Sequence, residues 1–292
     1  MAHVHNHHRT GNRRRIAGAL VLTFVFMLAE VAGGLWSGSL ALLADAGHML
    51  ADVGALGLAW VGFRLADRPS DARRSYGYER FEVLAAFVNG LALVAVALWI
   101  VVEGVGRLAD PVAILPGPML GVAIGGLVIN IMAFRILHGG DRTNLNLRAA
   151  LFHVAGDMLG SVAAIAAAAT IMVTGWLAID PILSFLVAAL VLWGAIDLVR
   201  RSGHILLEGV PQALNAAQIR DHLMSTLPEL SDVHHIHIWA LTESRPLVTL
   251  HAVIAQGDDP NRVVERVKTA LEQEFAIGHA TVQVEIGACA DS

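Results

Sequence analysis

Cysteine and charged residues are both scarce in this sequence. The one cysteine, Cys289, excludes disulfide bonds within the chain and any zinc or iron–sulfur site built from several thiolates. Charged residues make up 15% of the 292 residues, against about a quarter in an average soluble domain. An ordinary soluble enzyme is therefore all but excluded. The net charge of −5 also argues against a basic surface that binds nucleic acid.

Hydrophobic residues, in contrast, make up 55% of the chain. Six mostly uncharged runs have the roughly 20 residues that a helix needs to cross a bilayer core. They cover residues 16–36, 39–63, 82–106, 112–134, 149–174 and 178–199. We therefore predict a six-helix transmembrane domain over 16–202. A His- and Arg-rich tail, 1–15, precedes it, and a cytoplasmic domain, 203–292, follows it.

The arginines indicate how these helices are oriented. Fourteen of those in the first 202 residues fall in the N-terminal tail, between helices 2 and 3, between helices 4 and 5, and after helix 6, whereas Arg107 falls on the opposite side. Positive residues are retained on the cytoplasmic side of membrane proteins. We therefore expect a multi-pass protein of the inner, or cytoplasmic, cell membrane with both termini in the cytoplasm.

Two histidine–aspartate pairs lie inside the predicted membrane helices. His48 and Asp52 are four residues apart in helix 2, so they project from one helical face. His153 and Asp157 have the same spacing in helix 5. Both pairs lie about 12 to 14 Å into the membrane, reached from opposite sides. Two imidazoles and two carboxylates at that depth match the tetrahedral geometry of Zn²⁺, and imidazole ligands disfavour Mg²⁺ and Ca²⁺.

A simpler interpretation is that each pair forms a hydrogen bond that shields both side chains from lipid. Two identical pairs at matching depth on separate helices favour the metal site over this alternative. Asp45 lies on roughly the same face as His48 and is expected to support the site. Glu30 and Asn130 are expected to form hydrogen bonds between helices.

Six segments in order along the chain carry a family resemblance. They are LLADAGHMLADV at 42–53, RSYGYERFEVLAAFVNG at 74–90, NLRAALFHVAGDMLGSV at 146–162, DPILS at 180–184, ILLEGVP at 205–211 and VHHIHIWAL at 233–241. In these segments the chain resembles the cation diffusion facilitator family of metal/proton antiporters. The resemblance implies that the helix 2 and helix 5 quartet is the transport site. Its two histidines are associated in that family with zinc, often with cadmium or cobalt tolerated.

The resemblance also implies a homodimer. A charge contact between the start of helix 3 and the segment after helix 6 holds the family's dimers together, and Arg80 and Glu208 occupy those positions. The alternative is that both are solvated charges without a partner.

The periodicity changes after residue 203. Residues 215–227 and 260–276 have the pattern of amphipathic helices, and 232–240, 247–255 and 280–287 alternate like strands. The order αββαβ predicts a small α+β sandwich with its helices on one face of the sheet. By resemblance this is a ferredoxin-like, metallochaperone-like domain.

Histidines are frequent in this cytoplasmic domain. A strand period of two predicts His234 on one face of the first strand, and His235 with His237 on the other.

By resemblance, a regulatory zinc site near the dimer interface includes His234, His251 and Glu285, with His279 as a weaker addition. Gln283 stands where the family has a further ligand and is a poor zinc ligand. Surface histidines on an exposed sheet are the alternative.

Together these features predict a transporter rather than an enzyme. We expect it to export Zn²⁺, with Cd²⁺, Co²⁺ or Ni²⁺ as further substrates, in exchange for protons. A membrane-anchored metal sensor and a membrane metalloenzyme are the competing classes. The metalloenzyme is disfavoured because the helices contain no His-Glu-x-x-His motif.

Overall fold

The computed structural model describes residues 4–50, 53–54, 71–138, 145–287 and 289. Side chains are described for residues 21–50, 53–54, 71–135, 154, 157–287 and 289. The chain divides into two compact units. The first comprises Met1–Gly57 with Val88–Leu198, and the second comprises Leu58–Phe87 with Val199–Ser292.

The N-terminal two thirds of the chain is helical. Its helices are α1 (Val4–Ser37), α2 (Leu40–Leu50), α3 (Arg80–Ala109), α4 (Pro116–His138), α5 (Leu145–Thr174) and α6 (Ile179–Leu206). Within the described residues, α3, α4, α5 and α6 contain spans long and apolar enough to cross a membrane, and two shorter apolar stretches lie in α1 and α2. The helical membrane region that the sequence predicts is thereby confirmed. Helix α1 begins at Val4, whereas the sequence predicted a first span from about residue 16.

The helices of the first unit expose large apolar side chains and bury small ones. Val102, Val173 and Trp193 are each more than 70% exposed, whereas Ala97 and Ala167 are fully buried. An apolar outer surface suits lipid, and small interior residues let helices approach closely.

Glycine permits the closest contact between α1 and α4. A Cβ atom added at Gly33 would lie 2.5 Å from Cγ2 of Val122, and one at Gly126 would collide with the ring of Phe26. A larger side chain at either glycine would therefore force the two helices apart.

Asp180, near the start of α6, organises the start of α2. Its carboxylate is fully buried and accepts hydrogen bonds from the Ser39 hydroxyl at 2.6 Å, the Leu40 N–H at 2.7 Å and the Ala41 N–H at 3.3 Å. The first N–H groups of a helix have no acceptor within the helix, and this helix end attracts negative charge. One carboxylate therefore supplies acceptors for the N–H groups of Leu40 and Ala41 at the start of α2, and it links α2 to α6.

Arg107, the arginine predicted on the non-cytoplasmic side, is paired within the first unit. Its Nε donates to Glu103 one helical turn away at 3.0 Å, and its NH1 donates to the carbonyl oxygen of Gly38. Gly38 lies in the turn between α1 and α2 with φ +75°, a left-handed conformation that glycine adopts without strain. The charge of Arg107 thus helps to fix the turn.

The second unit contains a three-stranded sheet covered by two helices. Its elements are α7 (Ala216–Thr226), β1 (Leu230–Thr242), β2 (Arg245–Ile254), α8 (Pro260–Phe275) and β3 (His279–Glu285). Strand β2 is central, antiparallel to β1 and parallel to β3. The core contains Leu223 of α7 and Leu271 of α8 together with Val248 and Leu250 of β2. The predicted α+β domain with helices on one face is confirmed.

A β-bulge in β1 changes which side chains share a face. His234 pairs with His251, but the next pair is His237 with Thr249, so His235 and Ile236 together oppose one residue of β2. His235 adopts φ +48°, and Ile236 packs against the core. The inserted residue shifts the alternation by one position. The prediction that His235 and His237 lie on the face opposite His234 is therefore wrong, because a strict period of two does not hold across the bulge.

We predict that Asp180→Ala destabilises the first unit. The substitution leaves N–H groups of α2 buried without an acceptor, which costs roughly 2 kcal/mol. Thermal unfolding of the full-length protein in detergent measures the effect. Asp110→Ala, which removes an exposed acid of the same unit, is the control. Equal unfolding midpoints for the two variants would show that the Asp180 contacts are not stabilising.

Candidate metal sites

Helices α2 and α5 bring His48 and Asp157 together. Nε2 of His48 lies 3.9 Å from Oδ1 of Asp157, although the residues are more than a hundred positions apart in sequence. The Asp157 side chain is 2% exposed and that of His48 is 36% exposed. A buried carboxylate therefore lies beside an imidazole that remains accessible.

The other two members of the predicted quartet are only partly observed. His153 lies on α5, one turn before Asp157, and a spacing of four places both on one face of the helix. The side chain of His153 and the whole of Asp52 lie outside the described residues. The structure thus brings together one ligand from each helix, and the complete quartet stays a prediction.

Buried polar groups lie near this pair within the first unit. Nδ2 of Asn130 on α4 donates to the hydroxyl of Ser161 on α5 at 3.4 Å, which is the contact between helices expected of Asn130. The carboxylate of Asp45 lies against Gly160, where an added Cβ would be 3.0 Å from Oδ1. Asp45 therefore reaches the backbone of α5 close to Asp157, as expected of a supporting acid.

Glu30 of α1 adds a further acid to this region. Its side chain is 1% exposed and lies against Asp45. Two carboxyl groups in contact inside a membrane protein cannot both be ionised at low cost, so a proton or a cation must accompany them. The three acids Glu30, Asp45 and Asp157 therefore require compensating positive charge in this part of the helix bundle.

A second cluster forms on the open face of the sheet. Its members come from all three strands: His234 from β1, His251 from β2 and Glu285 from β3. Nδ1 of His251 lies 3.0 Å from Oε1 of Glu285, and Nε2 of His234 lies 3.3 Å from Oε2 of the same carboxylate. The structure therefore brings together three of the four cytoplasmic ligands that the sequence predicted.

The unsatisfied atoms of this cluster suit a metal ion. Nδ1 of His234 faces Oδ2 of Asp232 at 3.1 Å, which favours a proton on Nδ1 and leaves Nε2 as an acceptor. Nε2 of His234 and Oε2 of Glu285 are both shielded from solvent and have no hydrogen-bond donor among the described residues. Two lone-pair acceptors that face each other at 3.3 Å need a proton or a metal ion between or beside them.

His235 and Cys289 also belong to the cluster, although the sequence did not indicate either as a ligand. Sγ of Cys289 lies 3.6 Å from Nδ1 of His251 and 3.8 Å from Nδ1 of His235. One ligand atom from each of His234, His235, His251 and Cys289 fits within a span of 4.8 Å. The thiol of Cys289 is therefore a further candidate ligand, because folding returns the chain's one cysteine to the sheet.

Two residues near the end of the chain have other roles than the sequence indicated. His279 does not join the cluster. It precedes Glu285 by six residues on β3, a distance of about 20 Å along the strand. Its ring instead contacts the ring of Tyr76, with 6.1 Å between the two centroids. Gln283 donates from Nε2 to Oε1 of Glu285 at 3.1 Å and so positions that carboxylate.

The Glu285 carboxylate is held in its ionised form. Burial favours the neutral acid, but hydrogen bonds from Cys289 and Gln283 and the electrostatic influence of the nearby His251 and His234 rings outweigh burial and lower its pKa below the ordinary value. Glu285 therefore carries a negative charge at neutral pH, as a metal ligand must.

Arg80 and Glu208 form an ion pair within the second unit. NH2 of Arg80 lies 2.9 Å from Oε1 of Glu208. Of the two alternatives that the sequence left open, the paired one is confirmed. The pair joins the first residue of α3 to the segment that follows α6.

Most of the chain matches two family models for cation efflux proteins. Residues 16–207 match the cation efflux transmembrane domain, and residues 211–286 match the cation efflux protein cytoplasmic domain. The chain therefore belongs to the cation efflux family. It is a multi-pass membrane transporter of metal cations.

Particular relatives are similar over nearly the entire chain. The zinc transporter ZitB of Pectobacterium atrosepticum is 47% identical over 292 residues, which cover 100% of this chain and 91% of the relative. ZitB of Escherichia coli is 43% identical, covering 99% of this chain and 94% of the relative. The cadmium, cobalt and zinc/H⁺–K⁺ antiporter of Bacillus subtilis is 37% identical, covering 96% and 91%.

We predict that Co²⁺ bound to the cytoplasmic cluster gains a sulfur ligand. Because Cys289 is the chain's one cysteine, thiolate-to-cobalt charge transfer in the near ultraviolet is specific for this cluster. Absorption spectra of the full-length protein should show this band, and Cys289→Ser should lose it while keeping the visible bands of cobalt bound to nitrogen and oxygen. Spectra without a charge-transfer band, at full cobalt occupancy, would show that the thiol is not a ligand.

Proposed function

We propose that this protein exports Zn²⁺ from the cytoplasm in exchange for protons, through the quartet formed by His48, Asp52, His153 and Asp157. The observation that carries the proposal is the approach of His48 on α2 to the buried carboxylate of Asp157 on α5. Metal ligands from two separate helices give a site that changes its access when those helices move relative to each other. A site of this kind suits transport between two compartments.

The ligand types and the relatives support zinc as the substrate. Imidazole nitrogen and carboxylate oxygen in equal number suit a tetrahedral Zn²⁺ ion. Two of the relatives described above are named zinc transporters, and the third is named for cadmium, cobalt and zinc. Cd²⁺, Co²⁺ and Ni²⁺ bind the same ligand types, so we include them as further substrates.

Competition between protons and metal supplies the coupling. Imidazole and carboxylate bind metal only when deprotonated, so arrival of a proton favours release of the metal. The ordinary pKa of histidine, about 6.5, lies where this exchange is reversible at physiological pH. The name of the Bacillus subtilis relative as an antiporter supports this mechanism.

We further propose that the cluster of His234, His251, Glu285 and Cys289 binds zinc as a regulatory ligand. A zinc site in the cytoplasmic domain would respond to the cytoplasmic concentration of the metal to be exported. We place both termini in the cytoplasm, because the arginine distribution gives that orientation. The match to the cation efflux cytoplasmic domain supports a homodimer, and the bacterial relatives support the inner membrane.

We predict that Asp157→Asn abolishes most zinc transport. The amide keeps the size of the side chain but loses the charge that compensates the dehydrated dication, so the initial rate should fall at least about tenfold, which is the usual effect of weakening a metal site. Zinc uptake into proteoliposomes with an imposed pH gradient measures the rate. Asp110→Asn, which changes an exposed acid, should transport like the parent. A parental rate in the Asp157 variant would exclude this carboxylate as a transport ligand.

We also predict that the zinc affinity of the transport site decreases as the pH is lowered. Protons compete with the metal for imidazole and carboxylate, so lowering the pH should weaken zinc binding, and zinc should release protons when it binds. To weaken the competing cytoplasmic cluster, Glu285→Gln combined with Cys289→Ser removes two of its four proposed ligands, and a pH indicator dye records proton release. Zinc flux that ignores an imposed pH gradient would contradict antiport without excluding the quartet as the zinc site.

A further inference from the structure

A cavity of about 530 Å³ lies in the second unit, between the segment that precedes α3 and the open face of β1. It is lined by residues of three chain segments that meet there. They are residues 73–77 and Arg80, then Glu208, and then His237, Trp239 and Leu241. The volume lies within the usual range of small-ligand sites, about 300 to 1,000 Å³. Neither of the metal sites described above uses these side chains.

The walls of this cavity carry a surplus of positive charge. Three arginines, Arg73, Arg74 and Arg80, line the cavity together with one carboxylate, Glu208, and the imidazole of His237. Glu208 is already paired with Arg80 at 2.9 Å. The guanidinium groups of Arg73 and Arg74 have no carboxylate partner among the described residues. The cavity therefore offers two unneutralised positive side chains to an incoming anion.

Hydrogen bonds shape the backbone of the arginine loop and hold the side chain of Arg74. Oδ1 of Asp71 accepts hydrogen bonds from the backbone N–H groups of Arg73 at 2.7 Å and Arg74 at 2.8 Å, and so closes a turn. The Arg74 guanidinium lies 4.5 Å from the centre of the Tyr78 ring and donates to its hydroxyl at 3.0 Å. Because Asp71 binds backbone atoms, it shapes the loop without using the charges of the arginines. Ordered arginines lose less entropy on binding than free ones.

Arg80 contributes a donor that lacks an acceptor. Its Nε is shielded from solvent and has no hydrogen-bond partner among the described residues. A buried donor without an acceptor is uncommon and costly in folded proteins. An oxygen atom of a bound anion would satisfy this group while the NH2 of Arg80 keeps its contact with Glu208.

We propose that this cavity binds a phosphate-bearing anion, whose phosphate oxygens contact the guanidinium groups of Arg73, Arg74 and Arg80. Planar guanidinium groups match phosphate oxygens with paired hydrogen bonds. Tyr76 and Trp239 line the same cavity and offer apolar contact to the carbon atoms of a phosphate ester. The phosphate belongs either to an anionic phospholipid headgroup, since Arg80 begins a helix that can span the membrane, or to a soluble phosphate ester. This proposal is independent of the transport proposal.

The test compares three probes on the full-length protein purified in a neutral detergent. They are short-chain phosphatidylglycerol, short-chain phosphatidylcholine as the zwitterionic lipid, and glycerol phosphate as the soluble ester. Saturable shifts of the unfolding temperature give apparent dissociation constants, and native mass spectrometry counts the molecules that remain bound.

The variant Arg73→Gln/Arg74→Gln removes both unneutralised charges while leaving the backbone contacts of Asp71 intact. Arg200→Gln/Arg262→Gln removes two exposed arginines of the same unit that do not line the cavity, so it controls for net charge. At the usual contribution of one arginine near an anionic surface, loss of two should weaken binding roughly 30-fold. The control variant should bind like the parent.

Each result bears on the proposal. Saturable binding of phosphatidylglycerol but not phosphatidylcholine, lost in the cavity variant and kept in the control, identifies a lipid headgroup site. The same pattern with glycerol phosphate identifies a soluble ester. No saturable binding of any phosphate probe would overturn the proposal, as would equal weakening in the cavity and control variants, which would show that net charge rather than the cavity attracts the anion.

Discussion

The cost of placing a charged side chain in a hydrocarbon environment constrains this structure more than any other interaction. Each charge deep in the helices must be neutralised by a partner, because water is not available to solvate it. Asp180 is satisfied by the start of α2, and Arg107 by Glu103 and a carbonyl oxygen. Asp157 lies beside His48, and a mobile cation is suited to neutralise its carboxylate. The same physical demand thus fastens the helices together and places His48 beside Asp157 at the proposed transport site.

In the second unit, one inserted residue has a comparable effect. The bulge in β1 lets Ile236 pack against the core while His234 and His235 both lie near His251. A regular strand would have turned His235 toward the opposite face. The bulge also separates the metal cluster at one end of the strand from His237 and Trp239, which line the arginine-rich cavity at the other. A single strand thereby contributes side chains both to the candidate metal cluster and to the arginine-rich cavity.

Much of the fold follows from local patterns. The predicted helix at 260–276 is observed as Pro260–Phe275, and the predicted strand at 247–255 as Arg245–Ile254, because amphipathic periodicity is set by which residues must face one core. The pairing of His48 with Asp157 was likewise predictable, since intramembrane charges are few and each requires a partner. The contact of Cys289 with His251 was not predictable, because it depends on how the chain turns after β3.

The sequence by itself determined the class of protein, the order of helices and strands, and the short list of histidines and acids available to bind metal. Those features follow from hydropathy, periodicity and the rarity of charge, which act within each segment. Only the tertiary structure decided that Asp180 serves α2, that His235 and Cys289 join the cytoplasmic cluster while His279 does not, and that three arginines line one cavity. Those outcomes depend on strand register and on contacts between residues far apart in sequence, which no local pattern encodes.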